Sequence, residues 1–139
     1  LIEEPIEQET DLTWKILCIE DNVANMRLLQ RIFSFMTEYS LLEAMSGEEG
    51  VERARSDKPD IILMDIGLPG MDGFETFAKL QSMAECCDIP VIALSANAMK
   101  HDLDKGREVG FFDYLTKPVN IEKLIATVED AVSGARMTG

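Results

Sequence analysis

The sequence predicts an α/β protein in which a five-stranded parallel sheet is covered by helices on both faces. Short apolar segments alternate five times with segments of helical periodicity, which is the pattern of parallel β–α–β units. One of these segments, Ile61 to Met64, is apolar at every position, as expected of a strand buried on both faces. The length of 139 residues fits one domain.

The first two strands and helices are predicted in the N-terminal half of the chain. Lys15–Ile19 is a short apolar strand. The helix that follows has apolar residues at spacings of three and four. These residues are Leu28, Leu29, Ile32, Phe33 and Met36. Ser40–Ala44 is the second strand, and Ser46 with Glu49 forms a capping box that opens a helix to about Ala54.

The central strand is predicted to end at a carboxylate. Ile61–Asp65 is followed by residues that force loop geometry within a few positions. These residues are Gly67, Pro69, Gly70 and Gly73. Open α/β sheets bind ligands in the crevice at the carboxyl ends of their strands. We therefore expect Asp65 to face such a crevice.

The C-terminal half repeats the alternation. Phe74 to about Met83 is a helix, and Val91–Leu94 is the fourth strand. Ala98 to about Val109 is mostly charged and predicts an exposed, loosely held helix. Phe112–Leu115 is the fifth strand, and Asn120 caps the last helix. The apolar stripe of that helix is Leu124, Ile125, Val128 and Val132.

Charge and composition exclude several classes of function. The chain has 26 acidic and 13 basic residues, a net charge of −13. Nucleic acids and anionic membrane surfaces require basic footprints, so we expect neither as a direct partner. The sequence has no apolar run of membrane-spanning length and no signal-peptide pattern. Three cysteines, two of them adjacent, do not form a secreted disulfide framework and indicate a reduced, cytoplasmic protein.

We divide the chain into three segments. Residues 1–13 carry five acidic residues, no basic residue and no period, which is typical of a linker or flexible arm. Residues 14–134 contain all predicted strands and helices. Residues 135–139 are expected to be a frayed C-terminus.

Residues capable of chemistry follow four of the five predicted strands. Glu20 and Asp21 follow the first strand, Asp65 ends the third, Ser95 follows the fourth and Lys117 follows the fifth. Right-handed parallel units place all strand C-termini along one edge of the sheet, so we expect these side chains to converge. Each has a plainer interpretation as well: the acidic pair as solvated surface, Asp65 as a residue that caps or turns the loop after its strand, the serine as a helix cap, the lysine as a surface charge.

The combination predicts a phosphoryl-transfer site. Three carboxylates repel one another unless a cation joins them, and hard oxygen ligands suit Mg²⁺. A lysine and a hydroxyl can hold the oxygens of a phosphoryl group. Asp65 is then the candidate nucleophile, forming an acyl phosphate. No glycine-rich phosphate loop occurs, so a nucleotide is not the expected donor.

Five motifs resemble the receiver domains of two-component response regulators. They are Ile19-Glu-Asp-Asn22, Leu63-Met-Asp-Ile66, Leu68-Pro-Gly-Met-Asp-Gly73, Val91-Ile-Ala-Leu-Ser-Ala96 and Tyr114-Leu-Thr-Lys-Pro118. The resemblance spans about Trp14 to Val132. It implies a flavodoxin-like, doubly wound fold of strand order 2-1-3-4-5. It also implies a histidine kinase or a histidine phosphotransfer domain as partner, with the donor histidine outside this chain.

The same resemblance implies a role for each site residue. Asp65 would be the phosphoacceptor, and Mg²⁺ would be held by Glu20, Asp21, Asp65 and the backbone carbonyl of Gly67. Ser95 and Lys117 would contact the phosphoryl oxygens. Tyr114 would be the aromatic switch that moves inward with Ser95, unless it serves packing alone, and Pro118 would follow a cis peptide bond. Family members often carry a polar side chain where this sequence has Gly67, which affects water access to the phosphoryl group.

Several functional alternatives stay open at this point. Glu20-Asp21-Asn22 with Asn25, and Ala96-Asn97-Ala98-Met99, resemble receivers at the C-terminus of hybrid histidine kinases, and we favour that origin. A stand-alone single-domain regulator is the near alternative. An aspartate-nucleophile phosphohydrolase of the haloacid-dehalogenase kind needs a second aspartate where Gly67 stands. A phosphate-independent scaffold of the same fold would lack Mg²⁺ binding. The sequence does not indicate the oligomeric state.

Overall fold

The strands form one parallel sheet in the predicted order. The computed structural model describes residues 13–96 and 108–138, with side chains to residue 134. The strands are β1 (Trp14–Ile19), β2 (Tyr39–Ala44), β3 (Ile61–Asp65), β4 (Val91–Ser95) and β5 (Asp113–Thr116). Their spatial order is β2-β1-β3-β4-β5, and every neighbouring pair is parallel. The predicted flavodoxin-like fold is confirmed, with strand ends shifted by at most one residue.

Four helices lie in the part of the chain that the structure describes. They are α1 (Val23–Ser34), α2 (Gly47–Asp57), α3 (Gly73–Gln81) and α4 (Ile121–Thr138). Side-chain caps begin each of them, because the first backbone N–H groups of a helix lack intrahelical partners. The Asn120 side chain accepts from the N–H of Lys123 at 2.9 Å, which confirms the predicted cap of α4. Most of the helix predicted from Ala98 falls outside the described residues.

The predicted capping box of α2 is only partly formed. The Ser46 side chain accepts from the N–H of Glu49 at 3.1 Å, as predicted. The Glu49 carboxylate accepts from the N–H of Met45 at 2.8 Å, one residue before the expected donor. The reciprocal box forms instead at α3, between Asp72 and Glu75. In both arrangements the glutamate accepts from a backbone N–H close to the start of its helix.

Two apolar cores lie on opposite faces of the sheet. Alternate residues of each strand point to opposite faces, so Ile16 and Cys18 join α1 and α4 in one core. Leu17 and Ile19 join α2 and α3 in the other. All five residues of β3 are buried, because this strand is covered on both faces. The sheet therefore holds the end of β3 rigidly at the centre of its carboxyl edge.

One residue of the predicted α1 stripe faces solvent. Leu28 is 45% exposed, whereas Met26, which the periodicity did not select, is 3% exposed. The spacing of three and four allows either residue to neighbour Leu29, and only the docking angle of the helix decides between them. No helix in the described ranges is long and apolar enough to cross a membrane.

Candidate functional site

The carboxyl edge of the sheet brings together the side chains that follow β1, β3 and β5. Asp65 is the last residue of β3 and pairs with Leu94 of β4. Lys117 follows β5 directly, and its N–H donates to the Ser95 carbonyl at 2.7 Å. Glu20 follows β1, and its N–H donates to the Ala44 carbonyl at 3.0 Å. Backbone hydrogen bonds thus anchor the residues on both sides of Asp65.

Lys117 makes ion pairs with two carboxylates. Its Nζ lies 3.1 Å from Glu20 Oε1 and 3.4 Å from Asp65 Oδ2. The lysine side chain is 20% exposed, whereas that of Glu20 is 1% exposed. A positive charge in this position offsets the repulsion between the two carboxylates. The peptide bond between Lys117 and Pro118 is cis.

Glu20 is a buried acid with a perturbed pKa. Burial raises the pKa of its carboxyl, and the nearby charge of Asp65 raises it further. Hydrogen bonds from the N–H of Asn22, at 3.1 Å, and from Lys117 lower the pKa and so oppose part of this shift. The net direction is upward, so the folded protein resists ionisation of this group.

The Asp65 carboxylate is held in one orientation by two partners. Its Oδ1 accepts from the N–H of Gly67 at 3.0 Å, and its Oδ2 faces Lys117. The residue is 8% exposed, at the bottom of the crevice. A side chain added at Gly67 would meet only Asp65 Oδ1, at 3.7 Å from its Cβ. Glycine therefore leaves open space beside the carboxylate.

Three carboxylates are arranged in a way that fits a hard divalent cation. One oxygen each from Glu20, Asp21 and Asp65 lies within 4.8 Å of the others. Oxygen ligands of Mg²⁺ stand about 2.1 Å from the ion, so two of them lie at most about 4.2 Å apart. A small side-chain adjustment would let these oxygens share one ion. Asp21 is exposed, which leaves the ion a solvent side for water ligands.

Ser95 and Tyr114 lie on the strands beside Asp65. Ser95 ends β4, is 6% exposed and pairs with Thr116 of β5. Tyr114 lies within β5, is 9% exposed and belongs to the core shared with α2 and α3. The structure therefore puts the hydroxyl of Ser95 at the same sheet edge as Asp65 and Lys117. It puts the Tyr114 ring in a packed environment.

Two contributors to the site were missed by reasoning from the sequence. The N–H groups of Asn22 and Gly67 hold the Glu20 and Asp65 carboxylates, each from two residues further along the chain. Aspartates and asparagines often bond backbone groups two residues on, so the Asp65 contact had a recognisable signal. The Glu20 contact had none, because it depends on the bend between β1 and α1.

A groove beside the site was also not predicted. This α1–α4 groove has a volume of about 330 Å³. It is lined by Leu28, Arg31, Ile32, Phe35, Met36, Ile121 and Ile125. A second cavity of about 140 Å³ shares Leu28 and Ile32 with it and is also lined by Glu20 and Lys117. The groove therefore continues toward the acidic site.

We expect Glu20→Gln to raise the free energy of unfolding at neutral pH by on the order of 1 kcal/mol in the absence of divalent cations. Because the folded pKa of Glu20 lies above its ordinary value of 4.5, its stabilising contribution is present below that value. The contribution is lost as the pH rises through the folded pKa. The increase in the free energy of unfolding caused by glutamine should therefore be largest above the folded pKa of Glu20 and should vanish at acid pH.

Urea denaturation measured at several pH values tests this expectation. Glu129→Gln, on the exposed side of α4, is the matched control and should be neutral at every pH. A variant at Glu20 that loses stability equally at all pH values would show that its hydrogen bonds, and not its charge, decide the effect.

Comparison with known proteins gives one family and several close relatives. Residues 16–129 match the model of the response regulator receiver domain. The chain is 37% identical to protein PilH of Pseudomonas aeruginosa over 120 residues, which cover 86% of this chain and 98% of PilH. It is 36% identical to the polar-differentiation response regulator DivK of Brucella ovis over 124 residues, which cover 89% of this chain and 100% of DivK.

Solved structures of similar fold include receivers of histidine kinases. One is the receiver domain of a sensor histidine kinase from Pseudomonas aeruginosa PAO1, with a magnesium ion coordinated in its active-site cleft. It matches with a TM-score of 0.79 at 28% identity, covering 87% of this chain and 98% of that one. The signal receiver domain of a histidine kinase from Syntrophus aciditrophicus matches with a TM-score of 0.79 at 30% identity, covering 88% and 92%.

Proposed function

Because the chain belongs to the response regulator receiver domain family of two-component signalling, we propose that Asp65 accepts a phosphoryl group from a phosphohistidine of a partner protein. The observation that supports this assignment best is the Lys117 ammonium, 3.4 Å from Asp65 Oδ2 at the carboxyl edge of the sheet. A carboxylate paired with a lysine and flanked by further acids has the parts that phosphoryl transfer requires.

The transfer step exchanges one bond to phosphorus for another. An oxygen of Asp65 forms a bond to phosphorus while the bond between phosphorus and the donor's imidazole nitrogen breaks. The electron pair of that bond returns to the nitrogen, which takes a proton from solvent. The Gly67 N–H keeps Asp65 Oδ1 oriented, and Lys117 is near enough to donate to an oxygen of the incoming group.

Magnesium fits the acidic residues of the site. Glu20, Asp21 and Asp65 would hold the ion, together with the backbone carbonyl of Gly67. When bound, it neutralises negative charge on the transferring oxygens. Burial raises the pKa of Glu20, and the nearby charge of Asp65 raises it further, so a bound cation would favour the ionised form of this carboxyl. We therefore expect phosphorylation to require Mg²⁺.

We assign the switch to Ser95 and Tyr114. The Ser95 hydroxyl would turn toward the phosphoryl group, and Tyr114 would change its packing in response. Ser95 is buried at the end of β4, and Tyr114 lies on the adjacent strand. The output surface that we propose includes β5 and the helix predicted from Ala98. Most of that helix falls outside the described ranges.

Intact-mass measurement tests the acceptor function. Incubation with a small phosphoramidate and Mg²⁺ is expected to add the mass of one phosphoryl group to most molecules. Chelation of the divalent cation should slow that gain by at least about a hundredfold, because the charge of the transferring oxygens is then poorly neutralised. Equal mass gain with and without chelator would contradict the role of Mg²⁺, and no gain under any condition would contradict the function.

We propose that the phosphohistidine arrives on an amphipathic helix that docks in the α1–α4 groove. The groove is apolar and leads toward Glu20 and Lys117. α1 carries Arg27 and Arg31 and no acidic residue, although the whole chain has a net charge of −13. Charge complementarity therefore favours a donor helix with acidic residues at the rim of its apolar face.

Leu28→Gln is expected to slow transfer from a protein donor about tenfold while leaving transfer from a small phosphoramidate unchanged. Leu28 is 45% exposed and lines both the groove and the cavity beside the site. Met45→Gln is the matched control, because Met45 is 40% exposed and lies outside the groove. Rapid-quench measurement with a phosphorylated histidine phosphotransfer domain checks the effect. Equal slowing with both donors would place the defect at the site rather than in docking.

We favour a hybrid histidine kinase as the source of the domain. Receiver domains of histidine kinases occur among the similar structures, and this supports the proposal. PilH and DivK, which the chain covers almost completely, support a stand-alone regulator as the second candidate. A histidine kinase core encoded in the same reading frame would decide between the two.

We also propose a cytoplasmic location. The structure has free cysteines at 18, 86 and 87, two of them buried. Burial raises the pKa of both buried thiols, Cys18 and Cys86, and so keeps them protonated and unreactive. A reducing compartment suits a domain that contains thiols of this kind. Fractionation of cells that express the full gene product tests the location.

A further inference from the structure

Four aromatic rings connect α3 to the middle of β5. The ring of Phe111 lies 4.3 Å from that of Phe77 and 5.7 Å from that of Phe74, measured between ring centroids. Its centroid also lies 6.4 Å from that of the Tyr114 ring, with the planes inclined at 59°. Phe111 and Phe77 are 8% and 3% exposed. Among the ring pairs of the described residues, Phe111 therefore links Tyr114 to the aromatic rings of α3.

The backbone around Phe111 is held in place. Gly110 has a φ of +105°, and its ideal Cβ position is 3.8 Å from Cζ of Phe77. The N–H of Phe112 donates to the Val91 carbonyl at 2.8 Å. The left-handed conformation of Gly110 thus lets the chain pass close to the Phe77 ring before it forms hydrogen bonds with β4. Phe111 has little freedom to follow Tyr114 if that ring moves.

The helix under these rings is itself anchored to the acceptor loop. The N–H of Gly73, the first residue of α3, donates to the Ile66 carbonyl at 3.0 Å. A Cβ at Gly73 would come within 2.6 Å of the Ile66 Cα, so the helix start packs directly on the residue after Asp65. Phe74 and Phe77, on the first two turns of α3, are accordingly fixed relative to the phosphoacceptor.

We propose that Phe111 is a positioning residue for Tyr114, and that its ring holds the tyrosine in the buried rotamer before any phosphoryl group arrives. This inference rests on the proposed function, in which Tyr114 is the switch. An aromatic pair of this geometry contributes beyond the area that it buries. Its loss should lower the ratio of buried to exposed Tyr114 by roughly two- to tenfold. The switch is therefore biased toward its buried state by a residue outside the phosphorylation site.

The test uses the fact that the chain has only two tyrosines. Uniform 3-fluorotyrosine labelling gives one fluorine resonance for Tyr39 and one for Tyr114. The difference in chemical shift between H₂O and D₂O reports how much solvent each ring meets. Phe111→Met, which removes the ring and keeps most of the apolar volume, should raise this solvent-isotope shift at Tyr114. The resonance of Tyr39, which packs against Phe33 at 5.8 Å, should not change.

Phe33→Met is the matched control, because it removes the same kind of ring pair from Tyr39 and should leave Tyr114 unaffected. Phe111→Leu is measured in parallel, and the Tyr39 resonance identifies the variants that keep the fold. An unchanged solvent-isotope shift at Tyr114 in a folded Phe111 variant would overturn the proposal. These spectra need no phosphorylation, so failure of the proposed phosphoacceptor function would not affect them.

A second measurement links the position of the ring to the switch. Beryllofluoride with Mg²⁺, a mimic of the phosphoryl group, should change the Tyr114 resonance less in the wild type than in Phe111→Met. The Tyr114 ring of the wild type is already buried, whereas in the variant a fraction of the rings is exposed and can still become buried. An equal change in both proteins would contradict the bias assigned to Phe111.

Discussion

Asp65→Asn is expected to slow phosphoryl transfer to the domain by at least about a thousandfold, a loss typical of removing a nucleophile. The amide has no anionic oxygen to attack phosphorus. The side chain keeps its shape, and its carbonyl oxygen can still accept from the N–H of Gly67. One negative charge leaves the crowded acidic cluster, so the fold should be retained. Intact mass after incubation with a small phosphoramidate and Mg²⁺ measures the effect.

Asp72→Asn provides a matched control in the same loop. Asp72 caps α3 by accepting from the N–H of Glu75 at 2.9 Å, and asparagine caps helices about as well as aspartate. This variant should gain one phosphoryl group at the wild-type rate. A comparable mass gain in Asp65→Asn would mean that another side chain accepts the phosphoryl group, and the assignment of the acceptor would then be wrong.

Lys117→Met is expected to lower the free energy of unfolding at neutral pH by about 3 kcal/mol in the absence of divalent cations. Methionine keeps much of the apolar length of the side chain and removes the charge. Glu20, which is 1% exposed, and Asp65 would then face each other without a cation between them. Removing one partner of a buried ion pair costs more than the pair contributes, because the remaining charge stays desolvated.

The loss in Lys117→Met should depend on pH. Lys117 lowers the pKa of Glu20 by ion pairing and hydrogen bonding, so its removal lets the pKa rise further. A raised folded pKa gives stability that is present in acid and lost as the pH increases. The free energy of unfolding of the variant should therefore approach that of the wild type at low pH and become lower than it as Glu20 ionises. Urea denaturation across this range gives the profile.

Lys123→Met serves as the control for Lys117→Met. Lys123 is exposed on the first turn of α4, and its replacement should change stability by no more than about 0.5 kcal/mol. Lys117→Met should also slow phosphorylation by about a hundredfold, since the ammonium no longer contacts the transferring oxygens. Wild-type stability in Lys117→Met would show that the two ion pairs contribute nothing to the fold.

The opposite signs expected for Glu20→Gln and Lys117→Met follow from one arrangement of charge. Glutamine at position 20 removes a buried negative charge that destabilises the fold. Methionine at position 117 removes the positive charge that stabilises the buried carboxylate of Glu20. We therefore expect a cation that binds beside Glu20 and Asp65 to raise the free energy of unfolding. The proposed function and the stability of the fold would then depend on the same three side chains, Glu20, Asp65 and Lys117.

Much of the fold was predictable because strong local signals agree with it. The apolar run from Ile61 to Met64 predicts a strand buried on both faces, and all of β3 is buried. Where a local signal allows two answers, the prediction was weaker. The α1 periodicity selected Leu28, which is exposed, and passed over Met26, which is buried. Helix periodicity defines a stripe only to within about one residue on either side.

The sequence by itself determined the order of strands and helices and which chemical groups follow each strand. Local preferences and apolar spacing depend on near neighbours, which the chain displays directly. Only the tertiary structure decided the distances on which chemistry depends. The contact between Lys117 and Glu20 joins residues 97 positions apart, and its length of 3.1 Å depends on how β5 and β1 pack in the sheet. The α1–α4 groove and the ring of Phe111 beside Tyr114 likewise exist only after distant segments pack, because burial and repulsion are properties of the assembled surroundings.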